Sequence, residues 1–245
     1  KKHCFFQSEL KYFEEVAETC GLPKRTDAPH SWVRHPLAFL VEAADDICYR
    51  VIDFEDGHRR ERISFEEIRE TLLELVDSRE VKSRLNKIPE RQDQLGYLRS
   101  KAINSLVRQS ANEFLNRETD ILQGTFDDPL VDRIESTDVL SKIKNRSKER
   151  VYSAPEVIDI EAAGFEVLGG LLEIFVGAAT ELARRSEKVS ARDKKIIELL
   201  PPRLRPIQMD PYQRLLGIAD HVSGMTDSYA VSQYKKIKGM SLPIG

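Results

Sequence analysis

The sequence predicts an all-α fold. Apolar residues recur at spacings of three and four along nearly every segment, and no stretch alternates polar and apolar residues between hairpin turns. Several prolines and glycines, among them Gly21, Gly57, Pro155 and Pro211, mark where helices start or stop. Leu10, Phe13, Val16, Ala17 and Cys20 share one face of a short leading helix that Gly21 should end. Residues 23–31 carry two prolines and several polar side chains and read as a loop. A second helix begins near Trp32 and runs to about Asp56, closed by Gly57. Ser64, with Glu67 three residues on, has capping-box spacing and starts a helix through Leu75 or beyond. The next helix spans Gln92 to Arg117, with Leu95, Leu98, Ala102, Leu106, Ala111 and Phe114 facing inward. Pro155 precedes a long apolar helix from Ile160 to Arg185, in which Gly164, Gly169, Gly170 and Gly177 suggest close helix approach. Gly224-Met225-Thr226 lacks the spacing of a phosphate-binding loop and reads as a packing point within a last helix from Pro211 toward Lys238.

Composition narrows the classes. In 245 residues, 40% hydrophobic and 32% charged, the balance is that of a water-exposed globular chain. The apolar stretch from Val167 to Ala179 is broken by Gly169, Gly170, Glu173 and Gly177 and falls short of a bilayer span, so no membrane partner is expected. The residues Lys1-Lys2-His3-Cys4 open no secretory signal, and Cys4, Cys20 and Cys48 show no Cys-x-x-Cys spacing. A cytoplasmic protein with reduced thiols is the expectation. The net charge of −3 gives no global attraction to nucleic acid. Lys142, Lys144, Arg146, Lys148 and Arg150 form a local basic run, read first as a solvated linker and second as a phosphate or single-stranded DNA contact.

The second helix holds the chemistry. Ala43, Ala44, Ile47, Cys48, Val51 and Ile52 recur in pairs every four residues and predict one buried stripe. Asp45, Tyr49 and Asp53 form a row along its margin, because a four-residue step advances only about 40° around a helix. Asp45 and Asp53 then lie roughly 12 Å apart along the axis. That is near the length of a nucleoside with its first phosphate. A carboxylate at one end can hold a hard divalent cation, and a tyrosine with a second carboxylate can hydrogen-bond a sugar or base.

Two blocks resemble a known family. Arg34-His35-Pro36-Leu37, then Glu42-Ala43-Ala44-Asp45-Asp46-Ile47-Cys48-Tyr49, then Asp53-Phe54-Glu55-Asp56 resemble the last motif of the HD-type dNTP triphosphohydrolases, bacterial dGTPases in particular. Tyr212-Gln213-Arg214, followed by the stretch from Asp220 to Ala230, resembles that family's C-terminal signature. The resemblance implies a multi-helical HD-type bundle, with residues 1–60 as the end of the catalytic core and 61–245 as a helical region packed on it. It also implies cleavage of dGTP, or another dNTP, to the nucleoside and triphosphate with Mg²⁺ or Mn²⁺, and a homo-oligomer, commonly a hexamer. Asp45 matches the family's final metal ligand, whereas Asp46 points about 100° off the row. By the same resemblance Tyr49 and Asp53 contact the sugar and crowd its 2′ position, and Arg214 contacts the nucleotide or its phosphates.

The chain also departs from the pattern. None of His3, His30, His35, His58 and His221 is followed by Asp, so the His-Asp pair is absent, and with it the family's acid-base residues. No catalytic residue is therefore assigned. Beginning at Lys1 inside family-like sequence, the chain is expected to be a C-terminal fragment, inactive alone because one carboxylate is not a metal site. The alternative is a non-catalytic helical module for oligomerisation or single-stranded DNA binding. His35 reads as a structural residue at a helix start, His221 as packed or partly exposed, and Cys48 as inert packing.

Overall fold

The computed structural model describes residues 5–26, 28–76, 79–206 and 209–241; His3 and Cys4 lie outside them. Among the described residues there are helices and one isolated antiparallel bridge, Lys24 to Trp32, and no longer strand. The all-α expectation is met. The chain forms two compact units, residues 1–154 and 155–245. Residues on both sides of position 60 share one core.

The first unit holds α1 (Leu10–Thr19), α2 (Pro36–Arg59), α3 (Phe65–Glu74), α4 (Arg79–Leu85), α5 (Arg91–Asn116), α6 (Glu118–Gln123) and α7 (Thr137–Ser147). Its starts are set by local chemistry. Pro36 occupies the first turn of α2, where its missing N–H costs nothing, and Nδ1 of His35 accepts from the amide of Leu37 at 3.2 Å. Ser64 accepts from the amide of Glu67 at 3.1 Å and caps α3. The helix α2 packs on α5 and α7, and α3 packs on the same pair. Phe39, Ala43, Ile47, Val51 and Phe54 of α2 are buried there with Leu95, Leu98, Ala102 and Leu106 of α5. Each large side chain among them contributes about 1.5–3 kcal/mol by leaving water.

Three expectations are corrected in this unit. Gly57 does not close α2; it is buried inside the helix, and a Cβ on it would lie 2.7 Å from Val151 and 2.8 Å from Ile63. The left-handed residue that ends the helix is Glu61, with φ of 59°. Ala111 of α5 is exposed and Ser110 takes the inward position, with Phe114 half-buried. The stripe on α2 is split: Ala43, Ile47 and Val51 are buried, while Ala44, Cys48 and Ile52 are exposed. Neighbours on a helix lie about 100° apart, so one packed layer covers only one of each pair.

The second unit holds α8 (Pro155–Arg185), α9 (Ala191–Leu199), α10 (Pro211–Ser223) and α11 (Asp227–Ile237). Leu171, Phe175, Ala178 and Ala179 of α8 are buried with Ile196, Ile218, Val222 and Tyr234 from the other three. At 31 residues, α8 is, by length and composition, long and apolar enough to cross a bilayer, which corrects the shorter span read from residues 167–179. One side of it packs against α9, α10 and α11, and 28% of its most apolar stretch is buried. Of its four glycines only Gly170 meets a neighbour, the ring of Tyr234; Cβ atoms at Gly164, Gly169 and Gly177 would meet nothing within 4 Å. The last helix is two helices. Gly224 ends α10, and Thr226 caps α11 by accepting from the amide of Tyr229 at 3.3 Å.

Candidate functional site

The start of α2 is anchored by charge. The Arg34 guanidinium, almost fully buried, bonds Glu42 at 2.5 Å and the carbonyl of Asp127, and stacks 4.0 Å from the ring centre of Phe39. Further along, the buried carboxylate of Glu55 accepts from Arg59 at 2.9 Å and from Arg99 of α5 at 2.7 Å. Burying an ion requires such partners, and here they tie the end of α2 to α5. The helix that carries the Asp45 row is thus held at both ends.

The row itself lies at the surface. Asp45 is exposed, Tyr49 is 61% exposed and Asp53 is half-buried. Within the described residues α5 and α7 pack against the buried side of α2, and the turn that follows α7 also contacts the helix. Asp46 is half-buried, turned from the row as the helical angle requires.

A residue that the sequence reading does not name joins the row. The hydroxyl of Tyr152 donates to Oδ2 of Asp53. Burial first, then this hydrogen bond and the Asp53 charge, then Tyr49, push the phenol from its ordinary value of 10.0 up to about 12. Tyr152 ends a π-helical turn, Lys148–Tyr152, that follows α7. Such turns insert extra backbone into a helix and often mark functional positions. The basic run ends at Arg150, two residues short of Tyr152, and no periodicity points to the tyrosine.

One carboxylate, two tyrosines and a second carboxylate can bind hydroxyls and a sugar or base edge. They do not suffice for a metal. Among the described residues no three His, Cys, Asp or Glu side chains converge on one point. Asp45 supplies at most two oxygens where a hard divalent ion takes about six or more.

The other candidates resolve differently. Arg214 sits in the second unit, 6% exposed, and its guanidinium donates to the carbonyls of Ala179 at 3.3 Å, Pro206 at 3.0 Å and Met209 at 3.1 Å. Those bonds clamp α8 to the segment before α10. His221 is half-buried, with its ring edge-on to Phe175 at 6.0 Å, and desolvation, then the charge of Arg203, lowers its proton affinity. Cys48 is exposed rather than packed. In the basic run, Lys142 pairs with Glu74 at 2.8 Å, while Arg146 at 3.4 Å and Arg150 at 2.7 Å share Glu67. Three of its five cations are thus paired with carboxylates, and the run lies in α7 and the π turn after it, which corrects the expectation of a linker while leaving these side chains at the surface.

Residues 135–236 match the phosphohydrolase-associated domain. A deoxyguanosinetriphosphate triphosphohydrolase-like protein of Synechocystis is 38% identical over 99% of this chain, which covers 53% of that relative. A protein of the same description from Pseudomonas aeruginosa is 33% identical over 99% of the chain and 56% of its own length. A deoxyguanosinetriphosphate triphosphohydrolase of Salmonella arizonae is 29% identical over 97% of the chain and 54% of its own length. The chain spans about half the length of the curated relatives it matches. Along nearly its whole length the chain is similar to proteins described as deoxyguanosinetriphosphate triphosphohydrolases or as like them.

Proposed function

We propose that this chain is the nucleotide-facing wall of a metal-dependent dNTP triphosphohydrolase that releases the deoxynucleoside and triphosphate from dGTP or a related dNTP. Asp45 is one ligand of a divalent ion, Mg²⁺ or Mn²⁺, whose other ligands come from polypeptide outside the span. The metal, when bound, supplies Lewis-acid and charge stabilisation at the phosphates. Tyr49, Asp53 and Tyr152 take the sugar: Asp53, held by the Tyr152 hydroxyl, accepts from a sugar hydroxyl, and the two rings leave little room at the 2′ position.

The observation that carries this reading is the alignment of Asp45, Tyr49 and Asp53 on one edge of α2, with Tyr152 bonded to the last of them from 99 positions away. Alone, the chain is inactive on this reading, because its single metal-facing carboxylate cannot hold the ion. The carbonyl bonds of Arg214 support a packing role for that residue in place of a phosphate contact. The ion pairs of the basic run likewise weaken a role for the chain as a DNA-binding module.

The test uses a single polypeptide joining this chain to the part of the Synechocystis relative that it does not match. Triphosphate release from each dNTP is measured with Mg²⁺ and with Mn²⁺. Asp45→Asn is expected to abolish release, and Tyr152→Phe to raise KM more than it lowers kcat. Undiminished release in the Asp45 variant would refute the assignment.

A further inference from the structure

An apolar groove in the second unit opens to solvent between the first half of α8 and α11. It holds about 800 Å³ and is floored by small or apolar residues, Gly164, Val167 and Ala230 among them. A Cβ on Gly164 would meet nothing within 4 Å, so the floor has room for an incoming side chain. On α8 beside it, Ile160 is 71% exposed and Phe165 84% exposed, large apolar surface that this chain leaves in water. Along α11, Asp227, Val231 and Lys235 fall four residues apart and all line the groove, in a row about 12 Å long. The row reads anion, apolar, cation. Asp227 and Lys235 are both exposed, and neither has an ion-pair partner among the described residues.

We infer that this groove is a self-pairing surface, on which a second copy of the chain lays its α11 antiparallel to the first about a two-fold axis through Val231. The occupant follows from the order of charges. Reversing the row about its middle sets Asp227 of each copy opposite Lys235 of the other, so both charges that stand alone in one chain are matched in the pair. A parallel arrangement would instead bring like charges together. Two Val231 side chains meet on the axis, and Ile160 and Phe165 leave water at its flanks. An apolar centre edged by complementary charge is the usual anatomy of a protein interface, and closed two-fold pairing is its commonest symmetry. Every residue involved belongs to the second unit, so the inference stands apart from the enzymatic reading of the Asp45 row.

Sedimentation equilibrium of the whole chain tests the pairing. Asp227→Lys alone and Lys235→Asp alone each set like charges face to face, and each should raise the dimer Kd at least about tenfold. The two changes together exchange the ends of the row and should return the Kd to within about threefold of the parent, a recovery that only the antiparallel register allows. Gly164→Leu fills the groove and should also weaken pairing, while the dilute chain melts no lower than the parent, because its Cβ has open space and leucine favours a helix. In a Cys4→Ser, Cys20→Ser, Cys48→Ser background, Val231→Cys should form a disulfide between copies on mild oxidation. A chain that stays monomeric would overturn the inference and leave the groove to a different ligand. So would a dimer indifferent to both single charge changes, a double variant that does not recover, or a dimer in which Cys at position 231 fails to cross-link.

Discussion

Tyr152 donates its hydroxyl to Asp53, joining the π-helical turn after α7 to the exposed edge of α2. The bond should be visible by titration. One phenol is expected to ionise near 12 in a phenolate absorbance titration, and Asp53→Asn should bring it down toward 10.0. The folded protein holds this proton more tightly than the unfolded chain, so its stabilising contribution is present below pH 10 and is lost as pH rises toward 12. A spectrum in which every tyrosine titrates together would refute the contact.

Two adjacent glycines of α8 should respond in opposite directions to alanine. A Cβ at Gly170 would strike the Tyr234 ring, whereas one at Gly169 would meet open space. Gly169→Ala is expected to stabilise by about 0.5–1 kcal/mol through helix propensity. Gly170→Ala should destabilise by about 1–3 kcal/mol through overpacking. Urea denaturation at a single temperature distinguishes them.

Gly57→Ala presses on Val151 and Ile63, and Val151 is the residue before Tyr152. We expect a loss of about 1–3 kcal/mol in urea. The ionisation of Tyr152 should shift as well, because the turn that aims it must move. A destabilised variant with an unmoved phenol would show that the turn and the row are mechanically independent.

Glu55 is 2% exposed and holds both Arg59 and Arg99. Removing a partner from a buried ion is costly, so Arg99→Ala should destabilise the first unit by roughly 2–4 kcal/mol. Glu55→Gln with Arg99→Met should recover part of that loss. Additive losses in the double variant would mean that the pair is not coupled.

His221 gives a pH dependence. Desolvation, and then Arg203, lowers its proton affinity in the folded protein below the ordinary value of 6.5. Above pH 6.5 the ring is neutral in both states and its contribution to stability is complete. As pH falls below 6.5 the unfolded chain takes the proton first, so stability declines toward the lower folded value. In His221→Gln the drop in urea midpoint between pH 7 and pH 5 should be smaller than in the parent protein.

The residues that were legible in advance are those whose signals are local. Ser64 announces α3 because its hydroxyl meets an amide three residues away, and Pro36 and Pro155 mark helix starts because proline lacks the donor those positions do not need. The row on α2 is legible because the period of a helix is fixed. Which member of each pair, Ala43 or Ala44, Ile47 or Cys48, turns inward depends on where α5 and α7 lie, and periodicity does not contain that. Tyr152 is hidden for a similar reason. Its partner is 99 residues distant, and the backbone irregularity that presents it leaves no mark in hydropathy.

That irregularity has a consequence for how the region can change. A π turn owes its existence to a count of residues more than to their identities, and Lys148–Tyr152 is five residues long. Side chains there can be exchanged while the phenol keeps its bearing. Dropping a single position would restore ordinary winding and swing the phenol about 100° away from Asp53, so this segment should accept drift in composition yet refuse a deletion.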